Sequence, residues 1–427
     1  MIIICEPQSK GISHIKVNSG FIYGLSLAYP GEQIEFFSET SHFKEIIEIF
    51  KSNKIQNIDL KHFTINFNAA KSFSISGIIG YFFLIKSVFD KVLEFGSNKV
   101  FFLSMNPVIL CTIKILKVFA KYKNICCTVV LHGELEDIAN VDYTEPYLPR
   151  PIAERVTLVR LIKHPGIVLL MMRRILFQPF ESVSSSYSLF FKKYFRTKKM
   201  MMWRHSKQYH YISLSPHVTE NAKKYLDTKL LNFKTIIMPI IFAKPLKRSK
   251  NKFIKFAVFG YGDSGQMQKM LNLLSQREIS APYEIKIISM DNRGTEGFKN
   301  IKYISRGKVL GRSEMENATK DVDVFINLYT KNRHRFGCSL SIFEAFSYLK
   351  PVIHLSNPGY NYFNKPGKPI GYRCEDMNIF VDKLADMIGN FHLYKAQLLV
   401  FRRNMLEYRS AYDVRNNLKN LKESFKF

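Results

Sequence analysis

Gly337-Cys-Ser-Leu-Ser-Ile-Phe-Glu344-Ala-Phe-Ser-Tyr-Leu-Lys-Pro351-Val-Ile-His354 is the stretch from which the fold is read. Gly337, Ser339 and Ser341, with Leu340 between the serines, form a small-residue turn that opens a helix. Pro351 cannot continue that helix, and the β-branched pair Val352-Ile353 begins a strand. A helix that starts in such a turn points unpaired backbone N–H groups outward at its positive dipole end, an anion site suited to a diphosphate. Glu344 falls within the first turns, where its carboxylate can accept hydrogen bonds from two vicinal hydroxyls, as on a ribose. The competing reading is an ordinary strand–turn–helix with a glutamate near the helix start.

Outward from this stretch, short apolar runs alternate with longer helical patterns, which predicts α/β architecture with parallel sheets. Upstream lie the runs Phe253 to Phe259, Tyr283 to Met290 and Asp321-Val-Asp-Val-Phe-Ile-Asn327. The first half offers strands at Ile2 to Cys5, Val100 to Leu103, Cys127 to Leu131 and Tyr211 to Leu214. Helical patterns lie at Phe21 to Ala28, Ile78 to Phe95 and Val108 to Tyr122. Ser215-Pro216 supplies an N-cap and a first-position proline for a helix over His217 to Leu226. Ile236 to Ile241 is a further apolar run. The basic, aperiodic segment 244–252 reads as a linker. The expected organisation is therefore an N-terminal domain over 1–243, a C-terminal domain over 253–394, and a final helix over 395–427 that packs back on the first domain.

With 427 residues and 46% hydrophobic content, the chain is long enough for two cores. Its 63 Lys and Arg against 35 Asp and Glu give a formal charge of +28. Such a surface attracts anionic partners: phosphorylated substrates, acidic lipid or nucleic acid. No helix-turn-helix, zinc finger or RNA-recognition signature accompanies the charge, so nucleic acid is not the expected partner. The six cysteines, Cys5, Cys111, Cys126, Cys127, Cys338 and Cys374, form no C-x-x-C pair and sit mostly in apolar runs, as reduced cytoplasmic thiols do. The start, Met1-Ile-Ile-Ile-Cys-Glu-Pro7, has neither the basic end nor the cleavage site of a signal peptide, and no run reaches the ~18 apolar residues of a membrane span.

The segment from Pro151 to His210 carries 12 Lys and Arg against 2 Asp and Glu, a net +10. Its cations interleave with Met171, Phe177, Phe180, Phe190, Phe195 and the single Trp203. This pattern suits a surface that lies on anionic lipid. It also suits a helical insert with solvated charges.

Gly337 to His354 resembles the donor-site signature of retaining GT-B glycosyltransferases of the family 4 type. The match rests on Glu344-Ala345, Tyr348 and Pro351-Val-Ile353, preceded by the strand Asp321 to Asn327 and followed by Gly359, Gly371 and Glu375. It is specific over residues 320 to 375 and loose elsewhere. It implies two Rossmann-like domains whose parallel sheets face an interdomain cleft. It further implies a metal-independent, retaining hexosyltransferase that takes UDP- or GDP-linked sugars as co-substrate and needs no cofactor. Asp321-Val-Asp323 starts a strand and is not placed like a metal-binding pair. Where the family carries the first of two glutamates, this chain has Phe336.

On that resemblance Glu344 holds the ribose. The turn Gly337, Ser339, Leu340 and Ser341 meets the diphosphate, and Arg335 and Lys308 stand in for the family's cations. Gly260-Tyr-Gly262-Asp-Ser-Gly265 becomes the loop after the first strand of the donor domain. His132, at the end of the run Val129 to Leu131, takes the place of a histidine that contacts the donor sugar. The loop Gly11 to Gly20 shapes the acceptor side through His14, Lys16 and Asn18. The expected activity is sugar transfer to a lipid-linked or surface-glycan acceptor, as in capsule, O-antigen or lipopolysaccharide assembly, by a cytoplasmic enzyme resting on the inner face of the membrane. A GT-B-shaped sugar-nucleotide epimerase or a non-catalytic partner subunit is the alternative.

Overall fold

The computed structural model describes residues 1–65, 75–138, 197–242, 244–246, 251–260, 264–289, 297–305, 310–331 and 335–424. The strands of the first half are β1 (Ile2–Cys5), β2 (Ile34–Ser38), β3 (Leu60–Thr64), β4 (Lys99–Phe102), β5 (Cys126–Leu131), β6 (Tyr209–Ser213) and β7 (Phe233–Thr235). They form one parallel sheet in the order β3-β2-β1-β4-β5-β6-β7. All four residues of β1 are buried, the unbroken apolar run that a strand covered on both faces requires. The helices α1 (Ile15–Ala28), α2 (Thr40–Ser52), α3 (Ile75–Glu94), α4 (Pro107–Leu116), α5 (Thr197–Met202) and α6 (Pro216–Ala222) accompany this sheet in sequence.

The second sheet contains β8 (Lys255–Gly260), β9 (Glu284–Ser289), β10 (Ile301–Tyr303), β11 (Val324–Asn327), β12 (Val352–Leu355) and β13 (Gly371–Cys374). Its order is β10-β9-β8-β11-β12-β13, again parallel throughout. The helices are α7 (Ser264–Ser275), α8 (Arg312–Thr319), α9 (Leu340–Tyr348), α10 (Pro358–Phe363), α11 (Met377–Gly389), α12 (Phe391–Tyr412) and α13 (Leu418–Ser424). A core of Phe256, Met270, Ile287, Ile326, Phe380 and Phe401 joins the sheet to α7, α11 and α12.

The α/β architecture with two parallel sheets is as the sequence predicts. In each sheet the winding reverses beside the first strand: β1 lies between β2 and β4, and β8 between β9 and β11. Doubly wound sheets bind ligands outside the carboxyl ends of strands at such reversals. The chain forms two compact units. One joins Met1–Asn18 with Tyr29–Ile236; the other joins Ser19–Ala28 with Ile237–Phe427.

Several elements depart from expectation. The helix expected to Tyr122 ends at Leu116 and is followed by a separate 3-10 turn at Ala120–Tyr122. The helix over His217 to Leu226 stops at Ala222, and the Ser215 hydroxyl pairs with His217 Nδ1 at 2.7 Å in place of a backbone N–H. Ile236 to Ile241 forms no strand; Ile240 makes one isolated parallel bridge, to Asp413. α1 passes so close to this run that a Cβ on Gly20 would stand 1.9 Å from the Pro239 carbonyl oxygen.

Candidate functional site

The second sheet builds its site from the end of β11. Asn327 closes that strand in a buried position, and its carboxamide oxygen accepts from the Tyr329 N–H at 3.1 Å, turning the chain away from the sheet. Its Nδ2 donates to the Tyr360 hydroxyl at 2.9 Å. Tyr360 in turn pairs with Ser341 Oγ at 2.7 Å, and Ser341 with Ser339 Oγ at 2.7 Å. Asn357 caps α10 by accepting from the Gly359 and Tyr360 N–H groups, and its Nδ2 donates to the Thr330 carbonyl at 2.8 Å. A ladder of buried hydroxyls and amides therefore holds the start of α9 beside the end of β11.

Ser339 is the N-cap of α9 and makes no side-chain capping hydrogen bond; its hydroxyl serves the ladder instead. Gly337 is buried and Leu340 half-buried in this turn. Glu344 lies in the second turn of α9, half-buried, and Tyr348 follows one turn later. Burial, with Glu344 nearby, pushes the Tyr348 phenol up. Arg335 is half-buried just before the turn. Phe336 is buried, 2% exposed, so the position where the resemblance would place a glutamate presents an aromatic ring to the core. Gly260 ends β8 opposite Ser289. Gly262 and Lys308 lie outside the described residues.

At its other end α9 finishes in the left-handed residue Leu349. Arg409 donates to the Ser347 carbonyl at 2.8 Å, and Arg402 to the Leu349 carbonyl at 2.8 Å. Burial first of all lowers the Arg409 guanidinium to about 10, still charged at neutral pH. Cations at the carboxyl end complement the helix dipole whose positive end lies at Ser339.

The first sheet gathers a second group at the carboxyl ends of β1, β4 and β5. Glu6 follows β1, is fully buried, and accepts from the N–H groups of Gln8 at 2.9 Å and Ser9 at 3.0 Å. It also accepts from the Ser104 hydroxyl beyond β4 and from Asn18 Nδ2 at 2.8 Å. Asn18 Nδ2 also reaches His42 Nε2 at 3.0 Å, while His42 Nδ1 donates to the Gly11 carbonyl at 2.7 Å. His132 follows β5 and donates through Nε2 to the Leu103 carbonyl at 2.6 Å. Its ring lies 4.5 Å from that of His14.

Burial works to raise the Glu6 carboxyl, but His42, the Ser104 hydroxyl and His14 outweigh it and hold it below its usual value. Burial, then the adjacent His14, lowers His132 to about 3. Burial also lowers His14, against the pull of Glu6. His14 and His132 are therefore neutral at neutral pH, beside the Glu6 carboxylate.

The structure thus brings His14, Asn18 and His132 together. Lys16 stands on α1 between the first two and is half-exposed; helical spacing sets it on a different face from the pair at i and i+4. Glu6, His42 and Ser104 are additions that the sequence reading did not name. Glu6 carried a usable signal, a carboxylate directly after the first buried strand. His42 and Ser104 enter only through tertiary packing.

Of the basic segment, residues 151–196 lie outside the description. In the remainder Thr197 and Met201 are buried, whereas Lys198, Lys199, Met202 and Trp203 are exposed. Lys114 of α4 fixes this part: its Nζ donates to the carbonyls of Met201, at 2.7 Å, and Trp203. Among the described residues, no helix is long and apolar enough to cross a membrane, and no cluster of His, Cys, Asp and Glu could hold a metal ion.

No family model and no curated relative matches the chain. Solved structures do. The lipopolysaccharide outer core galactosyltransferase WaaB in its apo form superposes with a TM-score of 0.57 at 11% identity, covering 99% of this chain and 98% of that one. A glycosyltransferase from Rickettsia africae gives 0.55 at 13% identity over 100% and 98% of the two chains. Anabaena Alr3699/HepE in complex with UDP-glucose gives 0.55 at 12% identity over 99% of each. The likeness runs the length of the chain and establishes the fold, that of GT-B glycosyltransferases: two parallel α/β sheets.

Proposed function

We propose that the protein transfers a sugar from a nucleotide-sugar donor to a lipid-linked or surface-glycan acceptor. The observation that carries this reading is the buried ladder Asn327–Tyr360–Ser341–Ser339, which fixes the start of α9 at the reversal of the second sheet. The N–H groups there are preorganised for a diphosphate, and negative charge grows on that diphosphate as its bond to the anomeric carbon breaks. The diphosphate leaves with the electron pair, and the acceptor hydroxyl oxygen bonds to the anomeric carbon as it loses its proton. Glu344 accepts from the ribose hydroxyls. His132 contacts the donor sugar, and as a neutral ring it offers a hydrogen bond without a charge. By the sequence resemblance, Gly260, Gly262, Lys308 and Arg335 serve the donor, and His14, Lys16 and Asn18 the acceptor. The reaction proceeds without metal or cofactor and retains the anomeric configuration. Support for a UDP-linked donor comes from Anabaena HepE, whose structure with UDP-glucose shares this fold. Support for a surface-glycan acceptor comes from the resemblance and from the WaaB likeness.

The test is calorimetric titration with UDP and GDP, followed by assay of nucleotide release from their sugar conjugates. Wild type should bind one of the two nucleotides. Glu344→Gln should weaken that binding by about 1–3 kcal/mol, the scale of a lost charged hydrogen bond. Equal affinity in wild type and variant removes the ribose assignment. A second reading, a non-catalytic partner or an epimerase, draws on the buried Phe336. Nucleotide binding without any nucleotide release would favour it.

A further inference from the structure

The rim of the first sheet at the amino-terminal ends of its strands, opposite Glu6 and His132, is apolar and basic at once. α4 ends there, and the chain just beyond it exposes Val118 by 57% and Phe119 by 53%. Ile115 near the end of α4, Met202 and Trp203 at the end of α5, and Leu230 before β7 are exposed as well. Two buried lysines of α4 and the turn after it hold these pieces together. Lys114 donates to the carbonyls of Met201 and Trp203. Lys117 donates to the Ile125 carbonyl before β5 and to Gln208 Oε1 before β6. Both Nζ atoms lie 4.9 Å from the centre of the Tyr209 ring. His205 is hydrogen-bonded to the Leu230 backbone, which ties the loop before β7 to the same rim. The apolar groups are thus held at the surface by buried contacts beneath them.

Cations accompany this apolar strip. Lys123, Lys198, Lys199, Arg204, Lys207 and Lys229 are all exposed, and the Arg204 guanidinium lies 5.7 Å from the centre of the Trp203 ring. Of the carboxylates here, Asp90 is engaged by Lys86 and Lys121, and Asp227 by the N–H groups of Lys229 and Leu230. The rim therefore keeps an excess of positive charge. Aliphatic groups such as Val118 and Leu230 have little to gain from a nucleic acid, whose phosphates call for cations and whose bases call for aromatic or guanidinium planes. The core of a protein interface is depleted of lysine. An acidic lipid surface takes both kinds of group: aliphatic and aromatic side chains enter the acyl boundary while lysines and arginines stay among the headgroups. We propose that this rim, centred on Val118 and Phe119, is a docking surface for an anionic lipid bilayer. Much of its apolar part comes from α4 and the loop before β7, outside the basic run 151–210, and the reading does not depend on sugar transfer.

The test uses the full chain and its single tryptophan, Trp203. Vesicles of phosphatidylserine with phosphatidylcholine should move its emission to the blue, and brominated acyl chains should quench it. Phosphatidylcholine alone should do neither. Val118→Asp combined with Phe119→Asp should weaken vesicle binding about tenfold or more at low salt, because the apolar part of the contact is lost. Both side chains are more than half exposed, so the melting temperature should stay at the wild-type value. Should the pair not fold, Leu230→Asp should weaken binding in the same direction. Leu393→Asp, exposed on α12 of the second unit, should bind as wild type does. Trp203 emission that ignores brominated phosphatidylserine overturns the proposal. So does an aspartate pair that sediments with vesicles as wild type does, or an equal loss in Leu393→Asp. RNA that binds while the vesicles do not would overturn it in favour of a nucleic-acid partner.

Discussion

His132 shows what burial does to a titratable side chain. Its folded value is about 3, against 6.5 for an ordinary imidazole. Below about pH 6.5 the unfolded chain takes up a proton that the folded chain refuses, so stability falls as pH drops through the window from 6.5 to 3. The slope is at most about 1.4 kcal/mol per pH unit for one such imidazole. Urea denaturation followed at several pH values between about 7.5 and 5 should show wild type losing stability faster than His132→Gln. Identical slopes would mean that His132 takes up its proton as readily in the folded chain as in the unfolded one. That His132 ends a buried strand was legible, because a polar residue after Val129 to Leu131 marks the strand end. Its pairing with His14 was not. The two lie 118 positions apart and meet through the parallel order of β1, β4 and β5, which residue spacing does not encode.

The element that matters most is α9. Its start is fixed by the Asn327 amide of β11 and the Tyr360 hydroxyl of α10, and its end by guanidinium groups from α12. Tyr360→Phe removes the hydroxyl that joins Asn327 to Ser341 and leaves both buried without it. The expected loss is about 1–3 kcal/mol of unfolding free energy, with weaker nucleotide binding as the start of α9 loosens. A variant with unchanged melting and unchanged nucleotide affinity would show that the ladder does not hold the helix. Gly371 gives a sharper outcome. A Cβ there would lie 1.7 Å from the Val352 carbonyl oxygen, so Gly371→Ala forces β12 and β13 apart and should yield little folded protein, read as soluble yield against wild type. The turn, helix and strand of Gly337 to His354 were legible from small residues, apolar run and proline. The short strands β2, β3, β7, β10 and β13 were not. They run from three to five residues, and several carry polar or charged residues among apolar ones, as in Leu60-Lys-His-Phe-Thr64, so neither an unbroken apolar run nor a clean alternation announces them.

At the scale of the whole molecule, a charge of +28 on 427 residues is large enough to govern association with anionic surfaces. We propose that the segment from Pro151 to His210 docks on acidic lipid, with exposed Lys198, Lys199, Met202 and Trp203 as part of the contact. Each cation near such a surface contributes about 1 kcal/mol within a Debye length. Replacing Lys192, Lys193, Arg196, Lys198 and Lys199 with Gln should release the protein from phosphatidylserine vesicles at low salt, while nucleotide binding persists. Equal sedimentation of variant and wild type with vesicles would assign the segment to an ordinary surface.

The chain's route through its two units has a practical consequence for anyone who would cut it. The second unit is not a continuous stretch of sequence: ten of its residues, Ser19–Ala28, are made before most of the first unit, and the rest begins at Ile237. Gly20 packs there on the Pro239 backbone, and a Cβ on Gly24 would lie within 2.8 Å of Val414 and Leu421. A recombinant fragment beginning at Ile237 therefore lacks a piece of its own interior. It should be produced as an insoluble or loosely packed species, and a synthetic peptide spanning Ile15 to Ala28 should restore it. During synthesis on the ribosome, the same arrangement leaves the face of this helix that carries Gly20 and Gly24 without its final neighbours, Pro239, Val414 and Leu421, until the carboxyl-terminal half has emerged, so the helix stays open to capture by a chaperone until then.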